Sequence, residues 1–246
     1  MQGDETAHSE ALAASWNENA ANWTAAVREG LIPSRQAGTD EAILAAITKH
    51  QPARFLDVGC GEGWLVRRVV QAIGCEAVGV DGTAQLVQDA RRADPQNRYE
   101  VITYRRLMDG AADLGAAFDV IAFNYALFDE QTPELLTAVQ RYLSSDGVII
   151  IQTIHPWAAA PEGQYRDGWR HEDFAAFKNQ DWAAMPWFCR TLASWHGVVR
   201  AAGLVVLELS EPAAESGGLP LSLLLSCGIA GERAGEACQL ADKESF

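Results

Sequence analysis

Gly59, Gly61 and Gly63 alternate along Phe55-Leu56-Asp57-Val58-Gly59-Cys60-Gly61-Glu62-Gly63-Trp64, and no other stretch constrains the fold so tightly. The run Arg54 to Val58 reads as a buried strand. Leu65, Val69 and Ile73 behind it recur at helical spacing. Glycines in such a strand-to-helix turn let the backbone approach a ligand closely, and the helix start offers unpaired N–H groups. The turn is therefore a nucleotide-site candidate. A dinucleotide fingerprint would need its third glycine at position 64, where Trp64 stands, so a pyrophosphate reading is damaged. Ala77 to Val80 reads as the next strand and ends at Asp81, an acid placed to accept hydrogen bonds from ribose hydroxyls.

On these residues the chain resembles the class I S-adenosylmethionine-dependent methyltransferases, whose first motif looks like Leu56-Asp57-Val58-Gly59-Cys60-Gly61-Glu62-Gly63. The resemblance runs from roughly Asp40 to Ser226, and ubiquinone-type and natural-product enzymes are its nearest general kin. It implies that Asp57, Gly59, Cys60 and Gly61 pass the methionine part of S-adenosylmethionine, with S-adenosylhomocysteine as product. It further implies that Asp81 and Gly82 border the ribose. Two departures stand out. Thr103-Tyr104-Arg105 occupies the place of the acid that contacts adenine, leaving Tyr104 to stack on the ring or to sit as a surface tyrosine. The resemblance puts Asn124-Tyr125, at the fourth strand's tip, against the cofactor beside the transferable methyl, but Ala126-Leu127 follow rather than two prolines, which weakens base methylation.

The formal charge is −14, a field that repels phosphate backbones and anionic lipid. Arg91-Arg92 and Arg105-Arg106 are too sparse to reverse it. Five cysteines with no Cys-x-x-Cys pair point away from a disulfide framework and a zinc site. No apolar stretch is long enough to span a bilayer. A cytoplasmic enzyme without nucleic-acid or membrane partners and without a metal is expected.

Residues 1–10 read as a disordered tail and 11–50 as a helical lid. Trp16 and Trp23, seven apart, share one face as core anchors or as part of that lid. Arg35, in the loop before a helix capped by Thr39 or Asp40, can clamp a cofactor carboxylate or stay solvated. Residues 51–230 alternate strands (98–103, 118–123, 148–152, 204–209, 221–226) with helices. This predicts an α/β, Rossmann-like, seven-stranded, mostly parallel sheet with helices on both faces and ligands outside the strands' carboxyl ends. Residues 231–246 read as a frayed tail.

Between 156 and 190 the alternation stops and aromatics accumulate, which reads as a cap inserted after the fifth strand. Trp157, Tyr165, Trp169, Arg190 and Trp195, with Trp16, are the candidate acceptor contacts, Arg190 for a carboxylate. Some of these aromatics must instead form a minor core. His155, directly after that strand, is the candidate general base, or else a structural hydrogen-bonder. Methyl transfer to oxygen or nitrogen of a small molecule is the leading expectation. A nicotinamide-dependent oxidoreductase and a non-catalytic S-adenosylmethionine-binding module are the alternatives.

Overall fold

The computed structural model describes residues 2–115, 117–160, 164–177, 181–214 and 218–231, with side chains from residue 7 onward. Its centre is a seven-stranded sheet. The strands are β1 (Arg54–Val58), β2 (Glu76–Asp81), β3 (Arg98–Val101), β4 (Phe118–Asn124), β5 (Leu143–Ile154), β8 (Leu204–Ser210) and β9 (Ser222–Ile229). They lie in the order β3-β2-β1-β4-β5-β9-β8. Strand β9 alone runs antiparallel to its neighbours, so the sheet is mostly parallel, as expected. The order reverses between β1 and β4, which opens a crevice at their carboxyl ends.

Strand residues alternate between two buried layers, as the period-2 pleat requires. Leu56, Val58, Ile121, Phe123, Ile149 and Ile151 pack on one side with α7 (Thr132–Val139) and α8 (Leu192–Ala201). Phe55, Val120, Ala122, Val148 and Ile150 pack on the other with α3 (Asp40–Lys49) and α4 (Trp64–Ile73). The helix α5 (Ala84–Ala93) joins that second layer through Val87 and Ala90. Burial on both faces explains why the central strands read as continuous apolar runs.

Several local expectations need correction. The amino-terminal residues are not a tail: α1 runs Gln2–Glu18 and α2 Ala20–Arg28. His8 stacks on the Trp169 ring, centroids 4.5 Å apart, so tertiary contact holds a helix whose own sequence gives little amphipathic signal. The Thr39 hydroxyl does not cap α3. It donates to the Ser34 carbonyl within a kinked turn, Arg35–Thr39, that bends at Gly38. Strand β5 begins five residues early because Leu143 already pairs with Phe118. The inserted segment contains an antiparallel hairpin, β6 (Gly168–Glu172) with β7 (Met185–Cys189), and α1 packs against β7. The expected frayed tail, apart from Gly231, lies outside the described residues.

Candidate active site

The glycine turn is built by backbone pairing that continues past β1. The N–H groups of Gly59 and Cys60 both donate to the Val80 carbonyl, at 2.8 and 3.0 Å. The chain then turns through positive φ at Gly59 (+80°), Gly61 (+55°) and Gly63 (+83°), which favours glycine. A Cβ on Gly59 would lie 2.6 Å from the Ala126 Cβ, and one on Gly63 would lie 2.8 Å from the Tyr99 ring. Gly61 differs, because nothing stands within 4 Å of its missing Cβ. The close packing that a dinucleotide fold assigns to a third glycine thus falls on Gly63. Trp64 is free to open α4 and carry the Arg35 guanidinium 4.0 Å above its ring.

Asp81 joins this turn to the tip of β2. Its Oδ2 accepts from the Gly61 N–H at 2.9 Å and its Oδ1 from the Thr83 N–H at 2.7 Å. The carboxylate is therefore fixed beside the turn before any ligand arrives. Burial raises its pKa, and the two N–H donors partly offset that rise. Asp57 is 2% exposed and its Oδ1 is buried without a hydrogen-bond partner. Burial, with the Asp81 charge adding to it, pushes the Asp57 carboxyl up to about 8. An orphaned carboxyl oxygen beside an open glycine suits a cationic group on a ligand.

Tyr104 starts the short helix α6 (Tyr104–Met108), whose amino end the Thr103 side chain caps. Its hydroxyl donates to the Ala126 carbonyl at 2.8 Å and would stand 3.0 Å from a Cβ on Gly59. The phenol thus lies across the crevice between the β1 turn and the tip of β4. Cys60 contributes backbone only: its buried side chain packs against Gly79, and burial raises its thiol pKa. A Cβ added to Gly82 would meet Thr103 only at ordinary contact distance.

At the tips of β4 and β5 the amide of buried Gln152 donates to Asn124 Oδ1 at 2.9 Å and to the Thr39 carbonyl at 3.0 Å. Tyr125 follows with φ +51°, a conformation rare for a residue with a side chain. Beside it lies an aromatic cluster that joins three parts of the chain. Trp16 from α1 packs on Trp23 from α2 and on Phe128 after β4, and Trp23 meets Trp182 of the inserted segment edge-on at 4.9 Å. Asn19 completes the joint by bonding both the N–H and the carbonyl of Ala183.

The remaining sequence candidates fall elsewhere. Both nitrogens of the His155 ring are committed: Nε2 pairs with Glu211 at 2.8 Å, and Nδ1 accepts the Trp157 N–H at 3.2 Å. With Nδ1 accepting, the neutral ring's proton sits on Nε2 and no lone pair faces an acceptor. These two contacts favour the structural hydrogen-bonding reading of His155 over the general-base one. Trp157 is 60% exposed and pairs on the surface with Tyr165. Trp195 belongs to the main core. Trp169 donates to Glu130 at 3.0 Å, and Arg190 donates to the carbonyls of Asp129 and Glu130, so both staple the hairpin to the loop after β4. Burial lowers the Arg190 pKa. Arg35 lies beside the turn but shares its Nε with both Asp40 oxygens. Sequence reasoning missed Gln152 and Phe128, which only the strand tips bring to the site. It also missed Glu62, whose place between two turn glycines was the available signal.

Among the described residues no His/Cys/Asp/Glu cluster could hold a metal ion, and no helix is long and apolar enough to cross a membrane. Cys60, Cys75, Cys189 and Cys227 are free thiols.

Residues 34–209 match the family described as a methyltransferase domain. Over 139 residues the chain is 27% identical to a malonyl-[acyl-carrier protein] O-methyltransferase of Enterobacter lignolyticus (strain SCF1), covering 56% of this chain and 52% of that one. Over 119 residues it is 23% identical to the N-demethylindolmycin N-methyltransferase of Streptomyces griseus, covering 46% and 49%. The chain thus spans about half the length of the curated relatives it matches. In fold it is similar to the Burkholderia thailandensis 1,6-didemethyltoxoflavin-N1-methyltransferase, with a TM-score of 0.58, 16% identity and coverage of 86% and 87%. That structure holds 1,6-didemethyltoxoflavin and S-adenosylhomocysteine.

Proposed function

This chain belongs to the methyltransferase-domain family, and from that premise we propose that it transfers a methyl group from S-adenosylmethionine to oxygen or nitrogen of a small organic acceptor. One observation carries the reading: Asp81 is tied to the Gly61 N–H across two strand tips, beside the unpartnered Asp57 Oδ1. Asp81 would take the ribose hydroxyls, and Asp57 the ammonium of the methionine part. The open side of Gly61, where nothing stands within 4 Å of the missing Cβ, gives the ligand room to lie close. Tyr104 must leave the Ala126 carbonyl for the adenosine to enter. When bound, S-adenosylmethionine supplies an electrophilic methyl on a cationic sulfur.

The protein's part is then alignment, which can supply on the order of 7–11 kcal/mol of barrier reduction without a nucleophilic residue. The α1–α2 pair serves as a lid and residues 156–190 as a cap. Their shared aromatic cluster offers an apolar wall that suits an apolar acceptor, while the strong negative charge disfavours nucleic acid. The named relatives divide between O- and N-methylation, so the acceptor atom is decided by experiment. Incubation with methyl-deuterated S-adenosylmethionine and a panel of phenols, carboxylic acids and heteroaromatic amines should give one class of mass-shifted product. Fragmentation of that product would locate the methyl. Tight S-adenosylhomocysteine binding with no product from any class would convert the reading to a binding module.

A further inference from the structure

Glu62 is the one charged residue inside the glycine turn, and its side chain is 1% exposed. Both of its oxygens are engaged. Arg67 of α4 reaches them at 2.7 and 2.9 Å, and Arg28, the last residue of α2, donates its Nε to Oε2 at 2.8 Å. The Arg67 pairing lies within the motif and holds the carboxylate in place. The Arg28 pairing crosses from the amino-terminal helices. Two more contacts fasten α2 to Asp89: Arg28 Nη2 donates to its carbonyl, and Thr24, at mid-helix, donates to its carboxylate, each at 3.0 Å. The opposite end of α2 is fastened to the cap through Asn19 and Ala183. A nine-residue helix therefore links the cofactor turn to the segment over the acceptor side.

We propose that Arg28 and Glu62 form a positioning latch that keeps the α1–α2 pair closed on the cofactor turn and so slows cofactor release. The inference rests on the cofactor reading above. Arg28 is a positioning residue, since it acts through Glu62 and touches no reacting atom. Its side chain is 42% exposed, so salt can reach the pair, whereas Glu62 keeps Arg67 as a partner when Arg28 is lost.

The test is the dissociation rate of S-adenosylhomocysteine, followed by stopped-flow tryptophan fluorescence. Arg28→Met should release it about three- to tenfold faster than wild type, with Arg28→Lys partly restoring the slow rate. Raising salt to about 1 M should bring the wild type to the Arg28→Met rate and leave the variant unchanged. A merely structural arginine would not make the two rates converge in salt. Equal release from wild type and Arg28→Met, or a difference that survives high salt, would overturn the latch. If the variant does not fold, a wild-type rate that is flat with salt overturns it equally. Failure of the wild type to bind S-adenosylhomocysteine would overturn the cofactor reading and the latch together, whereas unchanged release overturns the latch alone.

Discussion

A cation brought to the Asp57 carboxylate should drive off a proton. In the ligand-free protein that carboxyl sits at about 8, because burial and then the Asp81 charge disfavour ionisation. At pH 7 it is therefore mostly protonated in the absence of ligand. An ammonium placed against Oδ1 restores the ionised form, so each binding event should release up to about one proton at pH 7. Calorimetric titration with S-adenosylhomocysteine in phosphate and in Tris measures this directly, as the difference in heat between the two buffers. Affinity should climb close to tenfold per unit below pH 7. It should level off above about pH 8, where the carboxyl is already ionised in the free protein.

The sign for stability is opposite. A folded pKa raised above its unfolded value of 3.8 leaves stability fully present in acid and loses it as pH rises toward 8. Asp57→Asn should therefore melt higher than wild type at pH 8 while losing both affinity and proton release. Buffer-independent heats for the wild type, or the same proton release from Asp57→Asn, would refute the reasoning.

Asp81→Ala removes the acceptor for two backbone N–H groups and the proposed acceptor for the ribose, so cofactor affinity should fall by about 1–3 kcal/mol in the same calorimeter. Tyr104→Phe keeps the ring but frees the Ala126 carbonyl, and stopped-flow mixing should show faster ligand association. Slower association would mean that the hydroxyl serves the bound ligand instead. Gly59→Ala meets the Ala126 Cβ at 2.6 Å with φ at +80°, so thermal unfolding should show a loss of at least about 1–3 kcal/mol. His155→Gln should leave the pH dependence of turnover intact, since neither ring nitrogen faces an acceptor. A lost acid limb would reinstate it as a base.

What could be read from sequence was whatever depends on near neighbours. The strand before Gly59, the glycines themselves and the acid ending β2 announce themselves by local pattern, and the Asp81–Gly61 contact follows from adjacent parallel strands. Distant partners could not be read this way. His155 is decided by Glu211, 56 residues on, and Trp169 by Glu130, 39 residues back. The reach of Tyr104 to Ala126 depends on the height of β3 relative to β4, which sequence spacing does not encode. The first turns of α1, before Ala11, were missed because their support is the β6–β7 hairpin rather than their own periodicity. Aromatic counts marked the inserted segment correctly as unusual. They could not separate surface-facing Trp157 from Trp182 in the shared cluster.

Separate titrations with S-adenosylhomocysteine and NADH test the central claim most directly. The geometry of Asp57, Gly61 and Asp81 predicts saturable one-to-one binding of S-adenosylhomocysteine, weakened in Asp81→Ala, and no binding of NADH. Saturable NADH binding with no heat from S-adenosylhomocysteine would contradict it.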